Sequence, residues 1–100
     1  MSKLFVMAKV SILSHHTQQA VELLKTLAED SERESGCLSY QILPSREENN
    51  TFITLEVWES AESEQQHWDM AHLKNTLGKL QPLLAEAPRI EKYSDALKSK

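Results

Sequence analysis

Residues 52 to 58 read Phe-Ile-Thr-Leu-Glu-Val-Trp, and the two-residue period of a strand puts Ile53, Leu55 and Val57 on one side and Phe52, Thr54, Glu56 and Trp58 on the other. Both sides carry large apolar groups, so a sheet built on this segment needs a cover on each face. The stretch from Leu4 to Leu13 has the same character: Leu4, Val6, Ala8, Val10 and Ile12 alternate with Phe5, Met7, Lys9, Ser11 and Leu13. A chain of 100 residues has room for one core, so the reading is a single domain over residues 1 to 100.

Helices supply one of the two covers. From Thr17 to Glu34 the residues Ala20, Leu23, Leu24, Leu27 and Ala28 recur at helical spacing, and Gly36 follows where a helix would end. Cys37 to Leu43, closed by Pro44, reads as a strand, and polar Ser45 to Asn50 joins it to the next strand as a hairpin. Ser60 is placed to cap a helical region from Ala61 to Leu84, where Leu73, Leu77, Leu80 and Leu84 form a stripe. A break near Asp69 to Ala71 divides that region into a short helix and a longer one. Pro88 ends it, and Arg89 to Ala96 offers a last strand through Ile90 and Tyr93.

The order strand, helix, strand, strand, helix, strand is that of an α+β, ferredoxin-like split βαβ sandwich. Helices on one side leave the other sheet face bare. The side with Phe52, Glu56 and Trp58 is expected to be that outer face, because a patch of this kind on a monomer invites aggregation and a second copy would bury it. The expected assembly is a homodimer whose joined sheets form an α/β-barrel.

Composition narrows the partners. The net charge is −4, and neither sign gathers into a run that could track a phosphate backbone, so nucleic acid is not expected. Cys37 is the sole cysteine, which excludes an internal disulfide and fits a reducing cytoplasm. No stretch approaches the roughly 20 apolar residues that span a bilayer, and the alternation in Met1 to Leu13 is unlike a signal peptide, so no membrane partner and a cytoplasmic location are expected.

Several short motifs, in their order and spacing, resemble the antibiotic biosynthesis monooxygenase domain family, whose members include quinol monooxygenases that work without metal or flavin. They are Gly-Cys-Leu-Ser-Tyr at 36 to 40, Leu-Glu-Val-Trp-Glu-Ser at 55 to 60, His67 and His72 flanking Trp-Asp-Met-Ala, Leu-Gln-Pro-Leu-Leu at 80 to 84, and Tyr93. The resemblance covers nearly the whole chain. It implies a dimeric barrel with a pocket between sheet and helices in each subunit. It leaves the substrate open, because the family also holds haem-degrading enzymes and isomerases of phosphorylated signalling sugars. The haem-degrading branch depends on an Asn in its first strand; here Val10 stands about at that position and no Asn precedes Asn49, which disfavours haem.

Oxygenation without a cofactor asks the substrate to reduce dioxygen itself after losing a proton, so the protein must supply a base and a dry pocket. Histidine suits the base role because its ordinary titration lies near neutrality. The resemblance sets His72 beside the pocket, which makes it the first candidate, with His67 and Glu56 as further catalytic candidates. His67 and His72 are five residues apart, roughly 140° on a continuous helix of 3.6 residues per turn, so they are not expected to share a metal. Trp68 shares a helix face with His72 and offers either a pocket wall or a core residue. Glu56, in mid-strand, would orient a substrate hydroxyl or a histidine, or else pair across the dimer. Trp58, Tyr40 and Phe52 would bind a flat ring, with packing in the barrel as the alternative for Trp58 and Tyr40. His15 and His16 read as surface residues, and Cys37 as a buried inert thiol.

The sequence thus points to a monooxygenase that takes a planar quinol or phenol and dioxygen, with no cofactor and no metal. One alternative is an isomerase of a small phosphorylated signalling molecule, with Arg89 as the phosphate partner. The other is a dimeric module that binds a ligand without turning it over.

Overall fold

In a computed structural model describing residues 2–97, the alternating segments form β1 (Leu4–Ser11), β2 (Cys37–Pro44), β3 (Thr51–Trp58) and β4 (Arg89–Tyr93). Their order in the sheet is β2-β3-β1-β4, and every neighbouring pair is antiparallel. The helices are α1 (Thr17–Glu32), α2 (Ala61–His67) and α3 (Ala71–Leu80). Ser60 caps α2, its Oγ accepting from the Ser63 N–H at 3.2 Å, and Trp68 to Met70 break the second helical region where the sequence predicts. A tighter helical turn over Gln81–Leu83 follows α3, and Ile12 makes an isolated bridge to Leu84 that ties the end of β1 to the end of the helical layer.

The helices lie on one face of the sheet and bury two apolar clusters there. Val10 and Ile12 meet Ala20, Leu24, Leu80 and Leu83 at one end. At the other, Val6, Tyr40 and Trp58 meet Leu27 and Leu73. Each fully buried side chain of this size contributes about 1.5–3 kcal/mol of transfer free energy, which is what holds α1 and α3 to the sheet.

One sequence expectation is reversed here. The side of β3 with Phe52, Thr54, Glu56 and Trp58 faces the chain's own helices: Trp58 is 0% and Glu56 4% exposed, and the register sets them beside Leu4 and Val6 of β1. Alternation fixes which residues travel together but not which set goes inward when both are apolar. The set that went inward carries its own donors for Glu56, since Thr54 and Trp58 lie on the same strand face, and it brings the large Trp58 ring into the core. The bare face carries Phe5, Met7, Ile53, Leu55 and Val57, all half-buried, together with exposed Leu43 and Tyr93.

Gly36 also differs in its reason. Its φ is not positive, so it is no left-handed helix stop; instead a Cβ built on it would overlap the Cβ and Oγ of Ser63 in α2. Gly36→Ala is therefore expected to destabilise the fold by about 1–3 kcal/mol, the usual cost of overpacking. Chemical denaturation of that variant and of the Gly36→Ala, Ser63→Gly pair checks the contact: the second change should recover most of the loss.

Candidate active site between the sheet and the helices

Enclosed by Val6, Ala8 and Val10 of β1, Leu24 and Leu27 of α1, and Leu73, Leu77 and Leu80 of α3 is a cavity of about 200 Å³. Its polar wall consists of Tyr40, Thr54, Glu56 and His67, with Trp68 and Ile90 also lining it. A wider groove of about 440 Å³ runs behind Leu77, Leu80 and Pro88, but its polar lining is only Gln81 and Glu86. The smaller space is the candidate site, because it gathers titratable groups among apolar walls.

His67 ends α2 with its ring in the cavity wall and its side chain 3% exposed. Its Nδ1 lies 2.6 Å from Oε2 of Glu34, and Nε2 of His72 lies 2.7 Å from the same oxygen. A carboxylate accepts, so both ring nitrogens donate; Nε2 of neutral His67 then carries a free lone pair. Nε2 has no hydrogen-bond partner among the described residues. The rings of Trp58, Tyr40 and Trp68 surround the imidazole at centroid distances of 4.7, 5.8 and 6.2 Å. His72, in the first turn of α3 and 24% exposed, stands behind His67 rather than in the cavity wall.

The two histidines converge, against the expectation that five residues of helix would turn them apart. That expectation assumed an unbroken helix. The break at Trp68 to Met70 changes the chain direction and brings both rings onto Glu34, at a centroid separation of 6.1 Å. It also separates Trp68 from the helical face of His72. Trp68 instead donates its indole N–H to Oε2 of Glu64 at 2.6 Å, and Glu64 accepts at Oε1 from Lys92 of β4 at 3.1 Å.

Glu56 takes two donors inside the core: the Thr54 hydroxyl at 2.7 Å and the Trp58 indole N–H at 2.9 Å. Burial pushes its carboxyl above the ordinary glutamate value, and these hydrogen bonds with the neighbouring His67 pull partly against that. Burial and the adjoining Glu56 hold the Tyr40 phenol well above its usual value, so Tyr40 stays a neutral donor. Cys37 is pushed up to about 11, mainly by burial, and is an inert thiol as the sequence suggested. His15 and His16 are exposed, also as read.

A raised carboxyl binds its proton more tightly in the folded state than in the unfolded chain. The stability this gives is complete below the ordinary value of 4.5 and is lost as pH rises through the raised one. The stability of the wild type relative to Glu56→Gln should therefore fall across that window, as urea unfolding measured from pH 4 upward would show. A difference that is flat with pH, or that grows, would contradict a costly buried carboxylate.

Of the sequence candidates, Tyr40, Glu56, His67 and Trp68 reach the cavity wall. Trp58 packs behind it, and Phe52 lies against Val10 and its neighbours in the far cluster. Arg89 pairs with Glu91 on the opposite sheet face and is not a cavity residue. Glu34, Glu64 and Lys92 escaped the sequence reading. Lys92 had a usable signal, since alternation with Ile90 points a lysine inward; Glu34 had none.

Sheet and helices define an α+β domain with a cavity between its two layers and His67 in the cavity wall. Residues 3–79 match the family model for antibiotic biosynthesis monooxygenase, and the chain belongs to that family. Its fold is close to that of a Caulobacter crescentus protein described as a candidate antibiotic biosynthesis monooxygenase, with TM-score 0.90 and 26% identity over 97% of this chain and 92% of that one. A Bacteroides thetaiotaomicron protein described as a candidate oxidoreductase has TM-score 0.87 and 26% identity, covering 94% and 98%. An uncharacterised Synechocystis protein is 26% identical over 91 residues; the chain spans 62% of that relative's length and 91% of its own aligns. No helix is long and apolar enough to cross a membrane among the described residues.

Proposed function

We propose that this chain is a cofactor-independent monooxygenase that takes a small planar quinol or phenol and dioxygen in the cavity between sheet and helices. The observation that carries the reading is His67, set in the polar wall of an otherwise apolar cavity with Nδ1 held by Glu34 and Nε2 unengaged. Nε2 takes the phenolic proton, and the Glu34 carboxylate stabilises the imidazolium that results. Glu34 joins His67 to the more exposed His72, which gives the proton a path outward.

The phenolate then supplies the electrons. One electron passes to dioxygen, the two radicals join at a ring carbon as a peroxide, and loss of water leaves one oxygen as a carbonyl. Overall, a CH₂ tautomer and O₂ become C=O and H₂O, so no outside reductant is required. Tyr40, held neutral with its O–H toward Glu56, accepts from a hydroxyl of the substrate, and Glu56 is a positioning residue that acts through Tyr40. Trp68 covers the ring.

Size and charge favour this over the alternatives. About 200 Å³ is below the roughly 300–1,000 Å³ of drug-sized sites, and suits one or two fused rings rather than a haem. Val10 lies in the cavity wall, where no amide is offered to a haem ligand. The lining has no Lys or Arg, so it offers no cation to pair with the phosphate of a phosphorylated sugar. A second copy of the chain covering Phe5, Met7, Ile53, Leu55 and Val57 completes the proposed homodimer in the cytoplasm.

Oxygen uptake by the purified protein with a panel of one- and two-ring quinols is the test. Consumption well above the uncatalysed rate, with a product one carbonyl oxygen richer, is expected for at least one. Uptake equal to the uncatalysed rate across the panel, with ligand bound but unchanged, would replace the enzyme by a binding module.

A further inference from the structure

We propose that Glu34, His67 and His72 form a binding site for a divalent transition-metal ion of the Zn²⁺ and Co²⁺ class, on the side of His67 away from the cavity. Glu34, His67 and His72 each offer one ligand atom, and the three atoms lie within 4.8 Å of one another. Two imidazoles and one carboxylate are the donor set that suits borderline first-row ions, and three protein ligands leave coordination positions for water.

The three residues come from separate places that the fold fixes independently: the turn after α1, the end of α2 and the first turn of α3. Glu34 is 7% and His67 3% exposed, so two ligands are held by packing before any ion arrives. His72 is 24% exposed and provides the entry side. Glu34 uses only Oε2 in these contacts, which leaves Oε1 available as a further donor. At 2.6 and 2.7 Å the carboxylate sits closer to the histidines than ligands on one ion would, and a withdrawal of under about 1 Å accommodates metal–ligand lengths of about 2.0–2.2 Å.

Occupancy changes what His67 does. A neutral imidazole carries one proton, and coordination at Nδ1 moves it to Nε2, the nitrogen on the cavity side. In His72, coordination at Nε2 likewise moves the proton to Nδ1. No proton is gained or lost overall when both rings begin neutral, yet His67 turns from acceptor to donor and its link to His72 through Glu34 is closed. The binding site stands apart from the oxygenase reading; only the consequence for turnover rests on it.

The test uses chelator-treated whole protein titrated with Zn²⁺ by calorimetry and with Co²⁺ by visible absorption. One equivalent per chain is expected, with the Co²⁺ bands of a low-coordinate nitrogen and oxygen site. Glu34→Gln and the more exposed His72→Asn should each weaken binding by about 10- to 100-fold or more, while the His15→Ala, His16→Ala pair should not change it. His72→Asn guards against a folding defect from altering the buried carboxylate. Absence of saturable binding at millimolar ion overturns the proposal, as does binding that survives both ligand changes or disappears with His15 and His16. Metal binding is read without oxygen uptake, so a protein inactive with every quinol but loaded as described would sink the oxygenase alone.

Discussion

His67→Asn is expected to lower kcat for quinol-dependent oxygen uptake by about 10²- to 10⁴-fold, the range that a positioned general base contributes. The asparagine keeps a polar group near Glu34 and fills much of the ring's space, but it cannot accept a phenolic proton at the cavity. Binding of an unreactive planar phenol should change far less, because the apolar walls of Leu24, Leu27, Leu73 and Leu77 remain. Steady-state oxygen consumption with parallel ligand titration separates the two effects. His16→Ala, on an exposed residue, serves as the control and should leave kcat unchanged. A variant at position 67 with near-native turnover would remove the base from the mechanism.

Trp58→Ala should cost about 3–5 kcal/mol, a large part of the roughly 5–15 kcal/mol that separates a domain like this from its unfolded chain. Trp58 is 0% exposed, touches Tyr40 edge-on at a centroid distance of 6.4 Å, and packs on the His67 ring. Truncation opens a void and also strips Oε1 of Glu56 of its donor. Because part of the loss is the stranded carboxylate, the same truncation made in a Glu56→Gln background should cost less. Urea unfolding of the four proteins in this cycle measures the coupling. Additive losses would show that Trp58 acts by packing alone.

Much of the fold was legible in the residues. The strand segments, the Ser60 cap and the break after His67 appear where alternation and capping rules put them, and the family resemblance carried by Gly36 to Tyr40 and Leu55 to Ser60 holds. The site was half legible. Tyr40, Glu56, His67 and Trp68 were named and do line one cavity. Glu34 was not, because a glutamate just past a helix end looks like any solvated acid until two distant histidines arrive beside it. The order of the histidines also changed: His72 was the first candidate by resemblance, and the structure puts His67 at the cavity and His72 behind it.

By itself the sequence determined the element order, the pairs of residues that share a strand face, and the kind of chemistry the side chains offer, since each depends on local periodicity and residue type. Only the tertiary structure decided which face of β3 meets the helices and that His67 and His72 share Glu34. Those are outcomes of non-local packing: a strand with two apolar sides is equally content either way until helix residues such as Leu27 and Leu73 pack on the Trp58 side, and a five-residue spacing says nothing once the helix between is broken.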